Sequence, residues 1–139
     1  YAPGEIVAYG YKGGRVAMKA GRRTAGPAAR LSLTGHRAEI RGDGRDIVLL
    51  RVEAVDSNGV SVPRADNLVH FDVDGPGAVI GVGNGNPTSL EADRATSRRL
   101  FNGLAQAIVQ TRPGATGRIT FTARSDGLPS QATDIRIID

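Results

Sequence analysis

The chain of 139 residues has no cysteine and no tryptophan, a single methionine, and only three tyrosines and three phenylalanines. Without cysteine there can be no disulfide and no thiolate metal site. This leaves the compartment open, because secreted sandwich domains can lack cysteine; a periplasmic or secreted location is the expectation. No run approaches the ~18 apolar residues of a membrane-spanning helix. No initiating methionine, basic n-region or apolar h-region is visible, so no signal peptide is read, and the opening YAPGE reads as cut from something longer. The two histidines, His36 and His70, have no second histidine at ligand spacing, which argues against a transition-metal site. Helical periodicity is nearly absent.

The scarcity of aromatics also limits what the basic charge can mean. The net charge is +4 and the pI about 10.1. Almost all the cations are arginines, scattered except for Arg22-Arg23 and the group Arg94, Arg98, Arg99. Single-strand binders set aromatic platforms beside a basic groove, and a chain that is 4% aromatic cannot do so. Solvated charge on strand faces is the better reading, so neither nucleic acid nor membrane is expected as a partner. A self-sufficient carbohydrate module would need exposed aromatics. Tyr1, Tyr9 and Tyr11 all fall near the N-terminus, and Phe71, Phe101 and Phe121 read as core.

What the chain does have is short alternating runs. Glu5 to Lys12 and Arg15 to Arg22 flank Gly13-Gly14, a strong two-residue hairpin signal. Val7, Tyr9 and Tyr11 share one side of the first strand, and Val16 and Met18 occupy alternate positions of the second. A lone hairpin is marginal in water, so these strands read as the end of a preceding domain. Thr24-Ala25-Gly26-Pro27 reads as a linker. Strands then follow at the close spacing of a β-sandwich. Leu31 and Leu33 alternate, Ile40 sits in a short extension, and Val48, Leu50, Val52 and Ala54 alternate against Arg51 and Glu53. Asp56-Ser57-Asn58-Gly59 is a turn. Val69, Phe71 and Val73 alternate against His70, Asp72 and Asp74, which places those polar groups away from the core. Gly75-Pro76-Gly77 breaks the strand and Ala78 to Val82 starts another. Asn84 to Ser89 reads as a loop, Glu91 to Arg99 as a helical turn, and Asn102 to Thr111 as a strand apolar on both faces, hence central. Ile119, Phe121 and Ala123 alternate in the next strand, and Ile135 and Ile137 close the sheet. The fold class is therefore all-β: an immunoglobulin-like antiparallel sandwich over residues 26–139, preceded by a hairpin and linker over residues 1–25.

Candidate chemistry is sparse. Glycoside hydrolysis needs two carboxyls on opposite sides of a sugar bond. The four glutamates, Glu5, Glu39, Glu53 and Glu91, lie on an outward strand position or at element edges, and none is paired by spacing with another. No catalytic residue is assigned. Asp43-Gly44-Arg45-Asp46 and Asp56 to Gly59 place oxygen ligands in turns, as calcium sites do, but neither matches the twelve-residue calcium loop and side-chain capping of the turns explains both. No metal and no cofactor are expected. Gly81 to Gly85, GVGNG, lacks the GxxxxGK[ST] phosphate pattern; glycines that let the chain fold back, beside Asn84 and Asn86 with their tolerance of left-handed geometry, account for it.

The stretches ADNLVHFDVDGPGAVIGVGNGNPTSLE, RRLFNGLAQAIVQT and GRITFTARSDGL resemble the C-terminal domain of bacterial β-galactosidases of glycoside hydrolase family 2. The most specific segments are Ala65-Asp66-Asn67, Gly81 to Ser89, and Phe101-Asn102-Gly103. YAPGEIVAYGYKGGRVAMKAGRRTAGPA is similar to the end of the preceding domain in such enzymes. The resemblance implies a parent that hydrolyses terminal β-galactosides with retention, using two glutamates in a (β/α)₈ barrel that this chain lacks. It implies an accessory, non-catalytic role here, with neighbouring domains of the parent as partners. Asn84, Asn86 and Ser89 are the candidate ligand-binding residues, through which a carbohydrate substrate would be touched. The family often carries Asp where this chain has Asn86 and His where it has Leu90, departures that bear on how such a loop would hold a ligand. Self-association through the N-terminal hairpin is a further expectation. The alternating patterns also suit a bacterial immunoglobulin-like adhesion or carbohydrate-binding module, which is the alternative reading.

Overall fold

The computed structural model describes residues 3–139; Tyr1, grouped above with Tyr9 and Tyr11, lies outside them. Among the described residues there is no helix. The described residues form eleven strands in three sheets. The first sheet is the hairpin of β1 (Glu5–Lys12) and β2 (Arg15–Arg23). Its turn residues, Gly13 and Gly14, have φ of 58° and 76°, matching a type I′ turn that follows the twist of the strands. The hairpin is closed at its base by the Thr24 amide, which donates to the Gly4 carbonyl at 2.9 Å, and by the Gly4 amide, which donates to the Thr24 hydroxyl at 3.1 Å.

One detail of the hairpin differs from the simple alternation. The register shifts at Gly10/Tyr11, so Val16 lies opposite Tyr11 while Met18 lies opposite Gly10. Tyr11 and Gly10 are adjacent and face opposite ways, so Val16 and Met18 are on opposite faces. The extra residue of the bulge, Ala17, reverses the period.

The sandwich holds the other nine strands. One sheet has the order β4-β11-β10-β6-β8 and the other β3-β5-β9-β7. These are β3 (Arg30–Gly35), β4 (Glu39–Arg41), β5 (Ile47–Val55), β6 (Leu68–Asp74), β7 (Gly77–Gly83), β8 (Ser97–Arg99), β9 (Leu104–Thr111), β10 (Arg118–Ser125) and β11 (Leu128–Ile138). All pairings are antiparallel except β4 with β11. The alternation dictates the core. Val48, Leu50, Val52 and Ala54 of β5 and Ala105, Ala107 and Val109 of β9 are buried from one sheet. Val69 and Phe71 of β6, Ile119, Phe121 and Ala123 of β10, and Ile135 and Ile137 of β11 meet them from the other. Phe71 and Phe121 stack with ring centroids 5.7 Å apart. The opposite face of β6 and β10 is solvated as its sequence requires: Asp72 pairs with Arg124 at 2.6 Å, and His70 and Asp74 are exposed.

β9 is apolar on both faces because it is central, between β5 and β7. Its outward Ile108 sits opposite Leu49. Three local expectations are corrected. Glu91 to Arg99 forms no helical turn; its last three residues are β8, which pairs with β6. Asn102 does not open a strand but forms a two-residue turn with Gly103, at φ of 52° and 77°, between Phe101 and Leu104. Asn-Gly is the strongest short hairpin signal and overrides the apolar run that follows it. An added Cβ on Gly103 would also collide with the Val62 carbonyl. Phe101 consequently rides on this turn at 36% exposure and is not core, unlike Phe71 and Phe121.

Candidate functional site

The three segments most specific to the family resemblance, Ala65–Asn67, Gly81–Ser89 and Phe101–Gly103, meet at one end of the sandwich. The short strand β8 and the residues after it join them. The Leu100 amide donates to the Asn67 carbonyl at 2.9 Å, and the Arg99 guanidinium donates to the Asp66 carbonyl at 3.4 Å. The Arg99 carbonyl accepts from the Asn84 side-chain amide at 2.9 Å. The Gly103 amide donates to the Ala65 carbonyl at 3.2 Å, which ties the Phe101–Gly103 turn to the same end.

Arg98 organises the loop between β7 and β8. Its side chain is only 5% exposed. It donates to the Glu91 carbonyl at 3.0 Å, to the Asp93 carboxylate at 3.2 Å and to the Asn84 side-chain oxygen at 3.3 Å. Its Nε is buried without a hydrogen-bond partner, 3.6 Å from the Glu91 carboxylate. A buried guanidinium is tolerated when its donors are satisfied by neighbours fixed in place. Here the satisfied donors fix the loop at both ends. The Asp93 carbonyl in turn accepts from the Val82 amide at 2.8 Å. Sequence reading grouped Arg98 only with a basic cluster. The signal that could have found it is the alternation of Arg98 with Leu100, both buried, against exposed Arg99.

The candidate ligand-binding residues are placed as follows. The Asn84 oxygen accepts from the Asn86 amide at 3.0 Å as well as from Arg98, so its side chain is committed to the loop. The Asn86 oxygen accepts from the Thr88 amide at 3.0 Å and the Thr88 hydroxyl at 2.9 Å. The Ser89 hydroxyl bonds with Glu91, at 3.3 Å to its carboxylate and 3.3 Å from its amide. Asn84 and Asn86 are thus brought together, and Ser89 is turned toward Glu91. The left-handed residue between the two asparagines is Gly85, with φ of 75°, and neither Asn84 nor Asn86 adopts that geometry. The asparagines shape the loop by hydrogen bonding their own backbone.

Asn84 and Gly85 form the rim of an open groove of about 310 Å³ on the outer face of the four-stranded sheet. Its other walls are Gly83, Arg51, Leu104, Ala105 and Gln106. Gly83, having no side chain, leaves the floor open beside Leu104. Sequence reading missed Arg51 and Gln106, which are exposed and come from two strands that no local motif connects. The groove offers amide and guanidinium groups beside the aliphatic side chain of Leu104. It contains no carboxyl.

Three of the four glutamates have local partners. Glu39 pairs with Arg136, Glu53 with Arg51 and the Ser61 hydroxyl, and Glu91 accepts from the Arg99 amide at 3.1 Å. The aspartates of the two turns cap backbone. Asp43 accepts from the amides of Arg45 and Asp46, both at 2.8 Å, which holds its carboxyl below the usual range. Asp46 is lowered chiefly by the Arg41 amide. Buried Asp56 accepts from the amides of Gly26 at 2.9 Å, Val60 at 2.9 Å and Asn58 at 2.8 Å, and is lowered by them in that order of importance with Val60 ahead of Asn58. Asp56 thereby pins the Thr24–Pro27 linker to the sandwich. No cluster of three or more metal-ligating side chains occurs among the described residues.

A family model described as Glycoside hydrolase family 2 C-terminal domain 5 matches residues 31–134. Among curated proteins, the chain is 37% identical over 92% of its length to the β-galactosidase BoGH2A of Bacteroides ovatus, of which it covers 15%. It is 36% identical over 64% of its length to a β-galactosidase of Thermoanaerobacter pseudethanolicus, of which it covers 12%. Among solved structures, it superposes over 100% of its length, with a TM-score of 0.94 and 34% identity, on a glycosyl hydrolase family 2 member from Bacteroides cellulosilyticus, covering 18% of that chain. The chain therefore spans less than a fifth of each of these relatives.

Proposed function

Because this chain belongs to glycoside hydrolase family 2 as its C-terminal domain 5, we propose that it serves a retaining β-galactosidase that releases terminal β-galactosyl groups. The chain itself is an accessory C-terminal domain of such multidomain proteins. The observation that carries the galactoside reading is the 37% identity, over 92% of the chain, to a protein named as a β-galactosidase.

The loop end is the part of the domain that would meet substrate or a neighbouring domain. Asn84, Asn86 and Ser89 hold the loop in shape, and the groove beside it presents Gln106 and Arg51 next to Leu104. Amide and guanidinium donors beside an apolar surface suit a sugar's hydroxyls and ring face.

The test is to assay the 139-residue chain and the full-length polypeptide that carries it on a chromogenic β-galactoside. Turnover is expected from the full-length protein alone. Turnover by the short chain would overturn its accessory role, and an inert full-length protein would overturn the galactosidase reading. Asn86→Ala with Ser89→Ala in the full-length protein should raise KM at nearly constant kcat; unchanged kinetics would remove the loop from substrate contact. The adhesion-module alternative shares only the sandwich architecture, and the family match favours the glycosidase reading over it.

A further inference from the structure

The groove beside Asn84 is built on one row of the four-stranded sheet. Arg51 of β5 lies opposite Gln106 of β9, and Gln106 lies opposite Gly83 of β7. Two strand spacings, roughly 10 Å, separate the ends of the row. Its third position carries no side chain, and nothing in the fold requires that. A Cβ on Gly83 would meet no atom within 4 Å, and the backbone there is not left-handed. A Cβ on Gly77 of the same strand would collide with the Ile119 side chain. Packing accounts for Gly77, whereas Gly83 leaves space that only the groove uses.

The hydrogen-bonding groups left free around this row are mostly donors. The Asn84 oxygen already accepts from the Asn86 amide and from Arg98. Its amide nitrogen donates once, to the Arg99 carbonyl, and keeps a second N–H. The Gly85 amide has no acceptor among the described residues. Arg51 is 57% exposed and gives one donor to Glu53 at 3.3 Å, so most of its guanidinium fork is open. Glu53, on the same face of β5, accepts from the Ser61 hydroxyl as well as from Arg51. Of the groove's side chains, only Gln106 still offers an acceptor. A neutral sugar donates through its hydroxyls as well as accepting, and such a wall leaves those protons unpaired. A carboxylate or a sulfate ester brings acceptors alone.

We propose that the groove binds an acidic sugar residue. Arg51 holds the carboxylate or sulfate ester through charge-assisted bonds, and the ring lies along Leu104 over the space left at Gly83. The substrate class that follows is a galactoside of a negatively charged glycan: this domain grips an acidic residue of the chain whose terminal galactosyl group is released elsewhere in the full-length protein. The net charge of +4 favours the approach of such a glycan. The proposal rests on the carbohydrate reading of the groove given above.

Amide chemical shifts of the 139-residue chain test it, in titrations with methyl β-glucuronide, a sulfated methyl β-galactoside, unmodified methyl β-galactoside and sodium sulfate. The Gly83, Gly85 and Gln106 amides should respond to at least one acidic sugar at a concentration about tenfold below that needed for the neutral one, and salt should shrink the difference. The tighter of the two acidic sugars identifies the charged group that is read. Arg51→Gln should remove the preference. Gly83→Val should weaken acidic-sugar binding by at least about tenfold while Tm stays near that of the parent, because the added side chain enters open space. No response to either acidic sugar, or equal affinity for the neutral one, would overturn the proposal. So would a preference that survives Arg51→Gln, or sodium sulfate binding as tightly as the sugars, which would reduce the site to an anion contact. Undiminished binding in Gly83→Val would overturn the placement of the ring. Acidic-sugar binding by a chain whose full-length protein does not cleave β-galactosides would leave this site standing and remove the galactosidase reading alone; cleavage without such binding would do the reverse.

Discussion

Replacing Arg98 decides whether the buried guanidinium holds the β7–β8 loop in place or merely occupies space there. Arg98→Met keeps most of the side-chain volume and removes every donor. Hydrogen bonds to a charged group contribute roughly 1.5–3 kcal/mol each when both partners stay buried. The three bonds are not equal by that measure. The Asp93 carboxylate is 86% exposed and regains water when the pair is lost, so that contact falls to about 0–1 kcal/mol. The Glu91 carbonyl and the Asn84 oxygen are part-buried acceptors and carry most of the effect. Against them stands the buried, unpartnered Nε, whose desolvation costs about 1–3 kcal/mol and is relieved by methionine. Taken at mid-range, the balance for Arg98→Met is a net loss of about 3 kcal/mol. Arg98→Ala adds an unfilled volume and should cost more than Arg98→Met. Urea denaturation gives the global figure. Amide exchange at Val82, which donates to Asp93, and at Arg99, which donates to Glu91, gives the local one. Both amides should lose protection in Arg98→Met. A methionine variant at least as stable as the parent, with both amides as protected as before, would refute the organising role of the guanidinium.

Two further outcomes follow from the core and from the capped turns. Phe121→Ala should cost about 3–5 kcal/mol, and lower Tm by roughly 10–20 °C, because the ring is fully buried and stacked on Phe71; Phe101→Ala, on its exposed turn, should cost under about 1 kcal/mol, and similar melting of the two variants would contradict the assigned strand facing. Asp56 has a native pKa lowered from 3.8 by backbone donors, so the unfolded chain takes up its proton first, and the stabilisation is complete above about pH 4 and lost as pH falls through the native value. Asp56→Asn should lower stability at pH 7 and make the acid limb of a denaturation-versus-pH curve shallower, with Asp43 and Asp46 retaining part of the slope; an unchanged acid limb would contradict the capping role.

The sandwich was legible in the sequence wherever a strand has one face in the core. The alternation of Val48, Leu50, Val52 and Ala54, and of Ile119, Phe121 and Ala123, needs no tertiary information, because the side-chain period of a strand is two. Reading failed where the local signal was short or the partner remote. β8 has three residues and exists because β6 offers it an edge, so no window around Glu91–Arg99 could show it. Phe101 looked like core by residue type, and the turn chemistry of Asn102-Gly103, which lifts it to the surface, was the better guide. At the loop end, the asparagine and glycine content of Asn84 to Ser89 marks a loop without tertiary information. The groove walls Arg51 and Gln106 lie on separate strands that only the pairing of β5 with β9 brings side by side. A groove made by register has no linear motif.

The last strand of the sandwich is also an interior one. β11 lies between β4 and β10, pairing with the first in parallel through Arg136–Ile138 and with the second across most of its length. Residues near 40 therefore wait for partners about a hundred positions later, and loop-closure entropy makes such a contact slow to form. On the ribosome this sandwich cannot close until residue 138 has cleared the exit tunnel. Until then β4 has no partner and β10 lacks one edge, an open template for pairing with other chains. A deletion that removes β11 would be felt during synthesis before it was felt in the stability of any finished molecule.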